Sequence, residues 1–485
     1  MNPGSQSPDV PDPRRWRALG VCLVAGFMTL LDVSIVNVAL PSIRTGLDAS
    51  QSDLQWVLSG YALAFGLVLV PSGRLGDVRG RRRVFLAGLG LFTLASAACG
   101  LAPSAGWLTA ARLAQGVAGG MIVPQSSGFI QELFSGAERG KAFGLLGASI
   151  GVSTAVGPLL GGALIAAGGA EHGWRLVFAV NLPVGLAAIP LARRLLPEGG
   201  TAGRRESLDP VGVLLLGTGV LLLLLPLVEE RSWEGPQKWA LVPAALFVLA
   251  LFTFWERVYA RRGQHPMVDL EMFGHRSYTV GSALALLYFA GFTAIFFVFT
   301  LFLQAGLGYS ALEAGLTLTP FALGSAAAAG LGGRYVVRIG RPLVAGGLAL
   351  VGAGLITTNL LIGSVDGPDV GWAVALPLLA AGIGGGLVIT PNITLSLTEV
   401  PVRRAGSAGG VVQTSQRIGS AIGIAVVGAV FFSRLEATRG DWTAAVQAGL
   451  LVCTGFVLLA LVLALSDVRR GRTLAAAVPP AAGAP

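Results

Sequence analysis

Apolar runs of about 20 residues recur along the whole chain, separated by short charged blocks. A run of that length is what an α-helix needs to cross the hydrocarbon core of a bilayer. The 485 residues are 53% hydrophobic and only 12% charged, whereas an ordinary soluble domain is about 25% charged. The sequence therefore predicts an all-α polytopic membrane protein. Fourteen spanning helices are expected, at residues 17–40, 53–73, 84–102, 107–131, 140–168, 174–195, 209–229, 238–258, 277–304, 312–333, 342–363, 371–397, 406–432 and 444–466.

The basic residues are distributed unequally between the two sets of loops. Of the 34 Arg and Lys residues, 26 fall in the termini and in the loops on their side, and 6 fall in the alternate loops; Arg112 and Arg417 lie within or at the ends of helices. Because cytoplasmic loops carry the excess of Arg and Lys, both termini are predicted to be cytoplasmic, in a plasma (inner) membrane protein. The same block pattern argues against nucleic acid as the partner of the net charge of +9.

Internal similarity divides the chain into two halves. The Gly-Arg pairs at 73–74 and 80–81 recur 260 residues later, and the run 113–123 recurs 266 residues later. Matches in the same order at nearly one offset predict two parallel repeats. The predicted organisation is a disordered cytoplasmic tail at 1–16, a six-helix bundle at 17–195, two inserted helices at 209–258, a second six-helix bundle at 277–466 and a cytoplasmic tail at 467–485.

The predicted loop at 73–83 combines glycines, one acid and five arginines. The glycines permit a tight turn and close helix contact, the acid can pair with a base, and the arginines mark the cytoplasmic face. The alternative is a loop that serves topology alone. We predict a cytoplasmic latch formed by Gly73, Asp77, Arg79, Gly80 and Arg81.

This string resembles the cytoplasmic loop signature of the major facilitator superfamily and departs from it only at Val78. The resemblance implies the major facilitator fold, built from two six-helix repeats. In this chain the two inserted helices would raise the number of transmembrane helices to fourteen.

A carboxylate, Asp32, lies within the first predicted helix. An acid at mid-membrane costs about 2.5–3.5 kcal/mol on insertion scales, so it needs a partner or a water-filled cavity. Such a group can exchange a proton for a substrate. The string from Leu31 to Pro41 resembles the first-helix signature of the fourteen-helix drug:proton antiporters, the EmrB/QacA-type branch, with Ser34 in place of Thr. We assign proton coupling to Asp32; the alternative is a permanently ionised structural partner of an arginine.

The fourth predicted helix supplies a basic counterpart, Arg112, in a string that resembles the R-x-x-Q-G signature of the same branch. Arginine keeps its charge in proteins. Arg112 could therefore stabilise a nearby carboxylate and couple its protonation to a rocking motion. The alternative is that Arg112, near the helix start, reaches back to the outer membrane interface.

Glycines at helical spacing in the fifth predicted helix let a neighbouring helix approach closely. The run resembles the antiporter signature of drug exporters, and the string Trp174–Pro183 resembles the entry to the sixth helix in that branch. The glycine run favours export over uptake. The antiporter helix is assigned to Gly151, Gly157, Pro158, Gly161 and Gly162.

A substrate cavity is expected between the halves. Asp32 is the acid nearest mid-membrane, and one shared carboxylate does not suit a dication, so neutral or monocationic amphipathic substrates are predicted. Three residues near the start of the thirteenth predicted helix are candidates for the cavity lining or for the latch with Asp77: Gln413, Gln416 and Arg417. The possible cavity residues are Asn37, Tyr61, Phe65, Gln115, Tyr288, Phe292, Gln413 and Gln416.

The function predicted from these features is proton-coupled export of amphipathic small molecules, drugs or antibiotics, by a monomer that uses alternating access. Two alternatives are an exporter of a single secondary metabolite and a solute uptake symporter; a third is a receptor or channel that does not transport. Neither the three histidines nor the three cysteines show metal-ligand spacing, and no catalytic constellation or phosphate-binding loop of the ATPase type occurs. We expect no enzyme activity, metal or cofactor, with the proton gradient as the energy source.

Overall fold

The computed structural model describes residues 13–198, 209–228, 233, 235–365 and 367–477. This part of the chain is helical and its helices are joined by short turns. The helices are α1 (Arg15–Leu47), α2 (Gln51–Arg79), α3 (Arg81–Gly100), α4 (Ala105–Leu133), α5 (Gly136–Ala179), α6 (Asn181–Leu195), α7 (Pro210–Val228), α8 (Leu241–Arg261), α9 (Arg276–Leu301), α10 (Ala311–Ile339), α11 (Arg341–Ile362), α12 (Val370–Ala373), α13 (Ala375–Leu397), α14 (Ala405–Ala437) and α15 (Trp442–Ala477).

Twelve helices of the described chain are long and apolar enough to cross a membrane. The predicted spans 107–131 and 140–168 correspond to α4 and to the first part of α5, which are helical but are not among the twelve. In α4, buried polar residues such as Arg112 and Gln115 lower the hydropathy, because this side of the helix packs inside the protein. The predicted number of fourteen spanning helices is therefore not confirmed.

Several predicted boundaries differ from the structure because polar contacts extend the helices past the apolar runs. In α1 the helix begins at Arg15, inside the predicted tail 1–16: Arg15 pairs with Glu138 at 2.9 Å and Trp16 packs on Phe134. Residues 1–12 of that tail lie outside the described residues. At the other end, α15 continues to Ala477, past the predicted end at 466.

The predicted loop at 73–83 is helical at every position except Gly80. Gly80 alone separates α2 from α3 and has φ of 97°, a conformation that side-chain-bearing residues rarely adopt. Gly340, which is 260 residues further on, separates α10 from α11 in the same way, with φ of 68°. Single glycines thus make the tight reversals that the repeat pattern predicts at these two positions.

Helices α1–α6 and α9–α15 form two bundles with separate apolar cores, one around Phe85 and Phe92 and the other around Phe299 and Leu348. The α5 helix is interrupted at Gly169, where φ is 79°. Helices α7 and α8 pack on each other, and α7 lies against α2 and α14. The inserted pair therefore touches both bundles.

The two bundles meet through α2 with α14 and through α5 with α10. Close approach depends on glycines: a Cβ added at Gly406 would lie 2.6 Å from the Gly73 carbonyl oxygen, and one at Gly144 would lie 3.0 Å from the Ala329 carbonyl oxygen. Because Gly73, Gly406 and Gly144 lie near the arginine-rich end of their helices, the halves are in contact at the predicted cytoplasmic side.

We expect Gly80→Ala to destabilise the protein by about 1–3 kcal/mol, because alanine is strained at the backbone conformation that the reversal requires. Thermal unfolding of the purified protein in detergent measures the effect. Gly90→Ala is the matched control, since Gly90 is in the middle of α3 and a Cβ there meets open space. Equal unfolding temperatures for the two variants would contradict the role of Gly80.

Candidate functional site

A cluster of fully buried polar side chains lies inside the first bundle, where α1, α3, α4 and α6 meet. Each member is at most 1% exposed. Polar groups buried among apolar helices require hydrogen-bond partners, and these side chains form hydrogen bonds with one another. The members are Asp32 on α1, Ser96 on α3, Arg112 and Gln115 on α4, and Asn181 on α6.

The Asp32 carboxylate is held by three donors from two helices. Arg112 Nη1 donates to Oδ2 and forms the ion pair. Gln115 Nε2 donates to Oδ1 at 2.8 Å, and Asn181 Nδ2 donates to the same oxygen at 2.9 Å. Gln115 Nε2 also donates to Ser96 Oγ at 2.8 Å. The arrangement stabilises an ionised carboxylate in a site closed to water.

Arg112 is fixed on several sides. Its Nε donates to the Val57 carbonyl oxygen at 3.1 Å, and its Nη1 donates to Gln115 Oε1 at 2.7 Å. The Tyr61 ring lies beneath the guanidinium, with 4.2 Å between Cζ and the ring centroid. The side chain points into the bundle, and the structure therefore does not show the alternative in which Arg112 reaches the outer interface.

Asp77, at the end of α2, caps the first turn of α14 in the other bundle. The backbone N–H of Gly406 donates to Oδ1 at 3.1 Å, and that of Ser407 donates to Oδ2 at 2.9 Å. A carboxylate at a helix N-terminus satisfies free N–H groups and favours the helix dipole. Arg81 Nη2 pairs with Asp77 at 3.0 Å, and its Nη1 pairs with Glu132 at 2.7 Å.

The predicted latch residues thus differ in what they do. Gly73 packs directly on Gly406 of the other half, and Asp77 and Arg81 form the ionic part. Gly80 makes the turn. Arg79 is exposed at the end of α2 and, within the part of the chain that the structure describes, forms no ion pair.

The glycines of the predicted antiporter helix contact two different neighbours. Gly157 lies against Ser34 on α1, and a Cβ added at Gly161 would lie 2.9 Å from Ile35 on the same helix. Gly151 faces the other bundle, where a Cβ would lie 3.1 Å from the Ala322 carbonyl oxygen of α10. Gly162 faces open space. The side chain of Pro158 lies outside the described residues.

The predicted cavity residues do not share one site. Gln115 belongs to the Asp32 cluster, Tyr61 and Phe65 are buried beside it, and Asn37 is exposed and donates to a carbonyl of its own helix. Tyr288 is buried in the second bundle. Three other predicted cavity residues are partly exposed near the interface between the halves: Phe292, Gln413 and Gln416.

A shallow, partly open pocket lies between the bundles, with enclosed space for no more than about one water molecule. Its walls come from α5, α9, α10 and α13, and they are mainly apolar. The lining residues are Ile150, Gly151, Phe292, Phe296, Phe321, Ala322, Ser325 and Ile389.

Two members of the buried cluster, Ser96 and Asn181, are absent from the sequence-based site. Asn181 is part of the string Trp174–Pro183, so the family resemblance contained a signal for it. Ser96 carries no such signal, because one serine in an apolar run is common and usually bonds to its own helix backbone.

Comparison with known proteins agrees with this architecture. Residues 22–424 match the Major Facilitator Superfamily. The "Probable actinorhodin transporter" of Streptomyces coelicolor is 39% identical over 437 residues, which is 89% of this chain and 75% of that protein. The puromycin resistance protein pur8 of Streptomyces alboniger is 36% identical, covering 89% of this chain and 84% of that protein.

Among solved structures, the proton:xylose symporter XylE superimposes with a TM-score of 0.66 at 16% identity, covering 93% of this chain and 95% of the other. At this identity the similarity concerns the fold alone. The twelve long apolar helices make this a multi-pass membrane protein. From the match over residues 22–424, together with these relatives, the chain belongs to the Major Facilitator Superfamily.

Proposed function

We propose that this protein exports amphipathic small molecules across the plasma membrane in exchange for protons, as a monomer with both termini in the cytoplasm and fourteen spanning helices. The observation that carries the proposal is the buried Asp32–Arg112 pair inside the first bundle. An intramembrane ion pair marks a substrate or proton pathway in membrane proteins. The relatives named for actinorhodin transport and puromycin resistance support antibiotics as the substrate class.

The coupling follows from the geometry of the pair. A proton on Asp32 removes the negative charge that Arg112 neutralises and leaves a buried cation without its partner, which is strongly unfavourable. The first bundle relieves this cost by changing the packing around Arg112, including Tyr61 and the Val57 carbonyl on α2. Since α2 also carries Asp77, protonation is linked to the contact between the halves. No ATP is required, because the proton gradient supplies the energy.

The charge of the substrate is a separate matter. A monocationic substrate would need Asp32 as an available carboxylate. In the structure that carboxylate is paired with Arg112 and accepts hydrogen bonds from Gln115 and Asn181. It offers no free charge to a cation, and this favours neutral amphipathic substrates over cationic ones.

A second candidate function is the export of one secondary metabolite. The 39% identity to the actinorhodin transporter favours it. An uptake symporter is less well supported, since the Gly157–Gly162 run resembles exporters. Accumulation of several unrelated compounds in oriented vesicles supports broad export, whereas accumulation of one compound supports the second candidate.

We expect Asp32→Asn to abolish gradient-driven transport, because asparagine fills the same space but its amide cannot take up a proton at physiological pH. The measurement is accumulation of labelled puromycin in inside-out vesicles with an acidic lumen, where the protein pumps inward. Asp48→Asn is the control: it removes the same charge from an exposed position at the end of α1.

Full gradient-driven accumulation by Asp32→Asn would show that another group carries the proton. Absence of accumulation by the wild-type protein, with puromycin and with a panel of other antibiotics, would count against broad export. Loss in both Asp32→Asn and Asp48→Asn would indicate damage to folding rather than to coupling.

We expect Asp77→Asn to weaken the contact between the halves, because charge-assisted hydrogen bonds contribute about 1.5–3 kcal/mol. A Ser407→Cys reporter measures this through its rate of modification by a water-soluble thiol reagent. The rate should rise about tenfold or more in the Asp77→Asn background. Glu198→Gln, which removes an exposed ion pair with Arg82, should leave the rate within about twofold of the reporter alone. An unchanged rate in Asp77→Asn would argue that the contact does not depend on this carboxylate.

A further inference from the structure

A polar stripe runs along α14 at the level where the helix crosses the middle of the protein. Its residues follow the spacing i, i+3, i+4 and i+7, which places them on one face of a helix. All four are partly exposed. Polar side chains at such a depth face a water-filled path or another protein group rather than lipid. The stripe consists of Gln413, Gln416, Arg417 and Ser420.

The charge of Arg417 is not balanced by a carboxylate within the described residues. Its guanidinium lies 4.3 Å from the centroid of the Phe65 ring on α2, and the neutral Tyr61 side chain is nearby. Arg112 differs in this respect, because its charge is paired with the Asp32 carboxylate. An arginine at mid-membrane normally pairs with an acid or faces a pathway.

The stripe adjoins the aromatic cavity between the halves. Ser420 Oγ is 2.8 Å from Thr293 Oγ1 on α9, and the next residue before Thr293, Phe292, lines the cavity. The flank of α14 next to the stripe is closed, because Gly419 and Gly423 pack directly on the α9 backbone. The Ser420 end of the stripe therefore lies next to the part of α9 that carries Phe292, one of the pocket's rings.

We propose that Arg417, assisted by Gln413 and Gln416, binds the anionic group of an amphipathic aromatic substrate, such as a carboxylate or an ionised phenol. A guanidinium presents paired N–H donors that match a carboxylate, and the glutamine amides add further donors. The aromatic body rests against Phe292 and the other rings of the cavity. This proposal rests on the proposed export function and specifies its substrate class as neutral or anionic rather than cationic.

Three probes that share one aromatic body test the charge preference: anthracene carboxylate, anthracene methanol and anthracene methylammonium. Their fluorescence reports binding to the purified full-length protein in detergent at neutral pH. We expect the carboxylate to bind at least about tenfold more tightly than the alcohol, in line with a hydrogen bond to a charged group. The ammonium should bind more weakly than the alcohol. Equal binding of carboxylate and alcohol by the wild-type protein would overturn the proposal without any variant.

The variants assign the preference to one side chain. In Arg417→Gln, affinity for the carboxylate should fall to that for the alcohol, while affinity for the alcohol changes by less than about twofold. Arg417→Lys should keep part of the preference, since lysine retains the charge but not the paired donors. Arg338→Gln is the control, because it removes an exposed arginine at the cytoplasmic end of α10. A preference that persists in Arg417→Gln would mean that Arg417 serves only to pack α14 on Phe65.

Transport separates this proposal from the export function. Gradient-driven accumulation of the anthracene alcohol in inside-out vesicles supports export whatever the charge preference. If the alcohol accumulates but no probe shows preferential binding, the anion subsite fails and export stands. If no probe accumulates but the carboxylate binds preferentially through Arg417, the subsite stands and the proposed function fails for this class of molecule.

Discussion

The neutralisation of Asp32 by Arg112 is the interaction on which the first bundle depends. Two opposite charges in a low-dielectric interior are tolerated only with close geometry and additional hydrogen bonds. Here the added bonds come from Gln115 and Asn181, so that α4 and α6 are held against α1. Arg112 also donates a hydrogen bond to the Val57 carbonyl oxygen, and this bond connects α2 to the same cluster. Two of the three groups that satisfy the acid, Arg112 and Gln115, lie on α4.

Much of the architecture could be predicted because each constraint is local in sequence. Apolar run lengths set the helices, and the glycines at 80 and 340 mark the reversals. The depth of Arg112 could not be derived in this way, because sequence distance from a helix end does not say which way a long side chain turns. Ser96 was missed for a related reason: its role depends on three-dimensional convergence of helices. The structure brings together only some of the predicted cavity residues, since aromatic side chains serve packing and binding alike.

The helix count shows the limit of hydropathy as a signal. A helix that packs against other helices on most sides can be rich in glycine and polar residues, because lipid does not contact it. The amino-acid composition of such a helix then says little about whether the helix crosses the membrane. In α5, the predicted antiporter helix, Gly157 and Gly161 lie against α1 while Gly151 lies against α10. Such a helix serves as a spacer within one half and as a contact between halves.

The cap that Asp77 places on α14 has a consequence for how the two halves separate. The bonds join groups that are each able to bind water, at the end of the molecule predicted to face the cytoplasm. When they part, water replaces the carboxylate on the Gly406 and Ser407 N–H groups, so that the net cost is much smaller than the gross strength of the bonds. An apolar contact of equal area would resist wetting. A charged helix cap therefore stabilises the contact between the halves and still allows them to separate at a modest free-energy cost during the transport cycle.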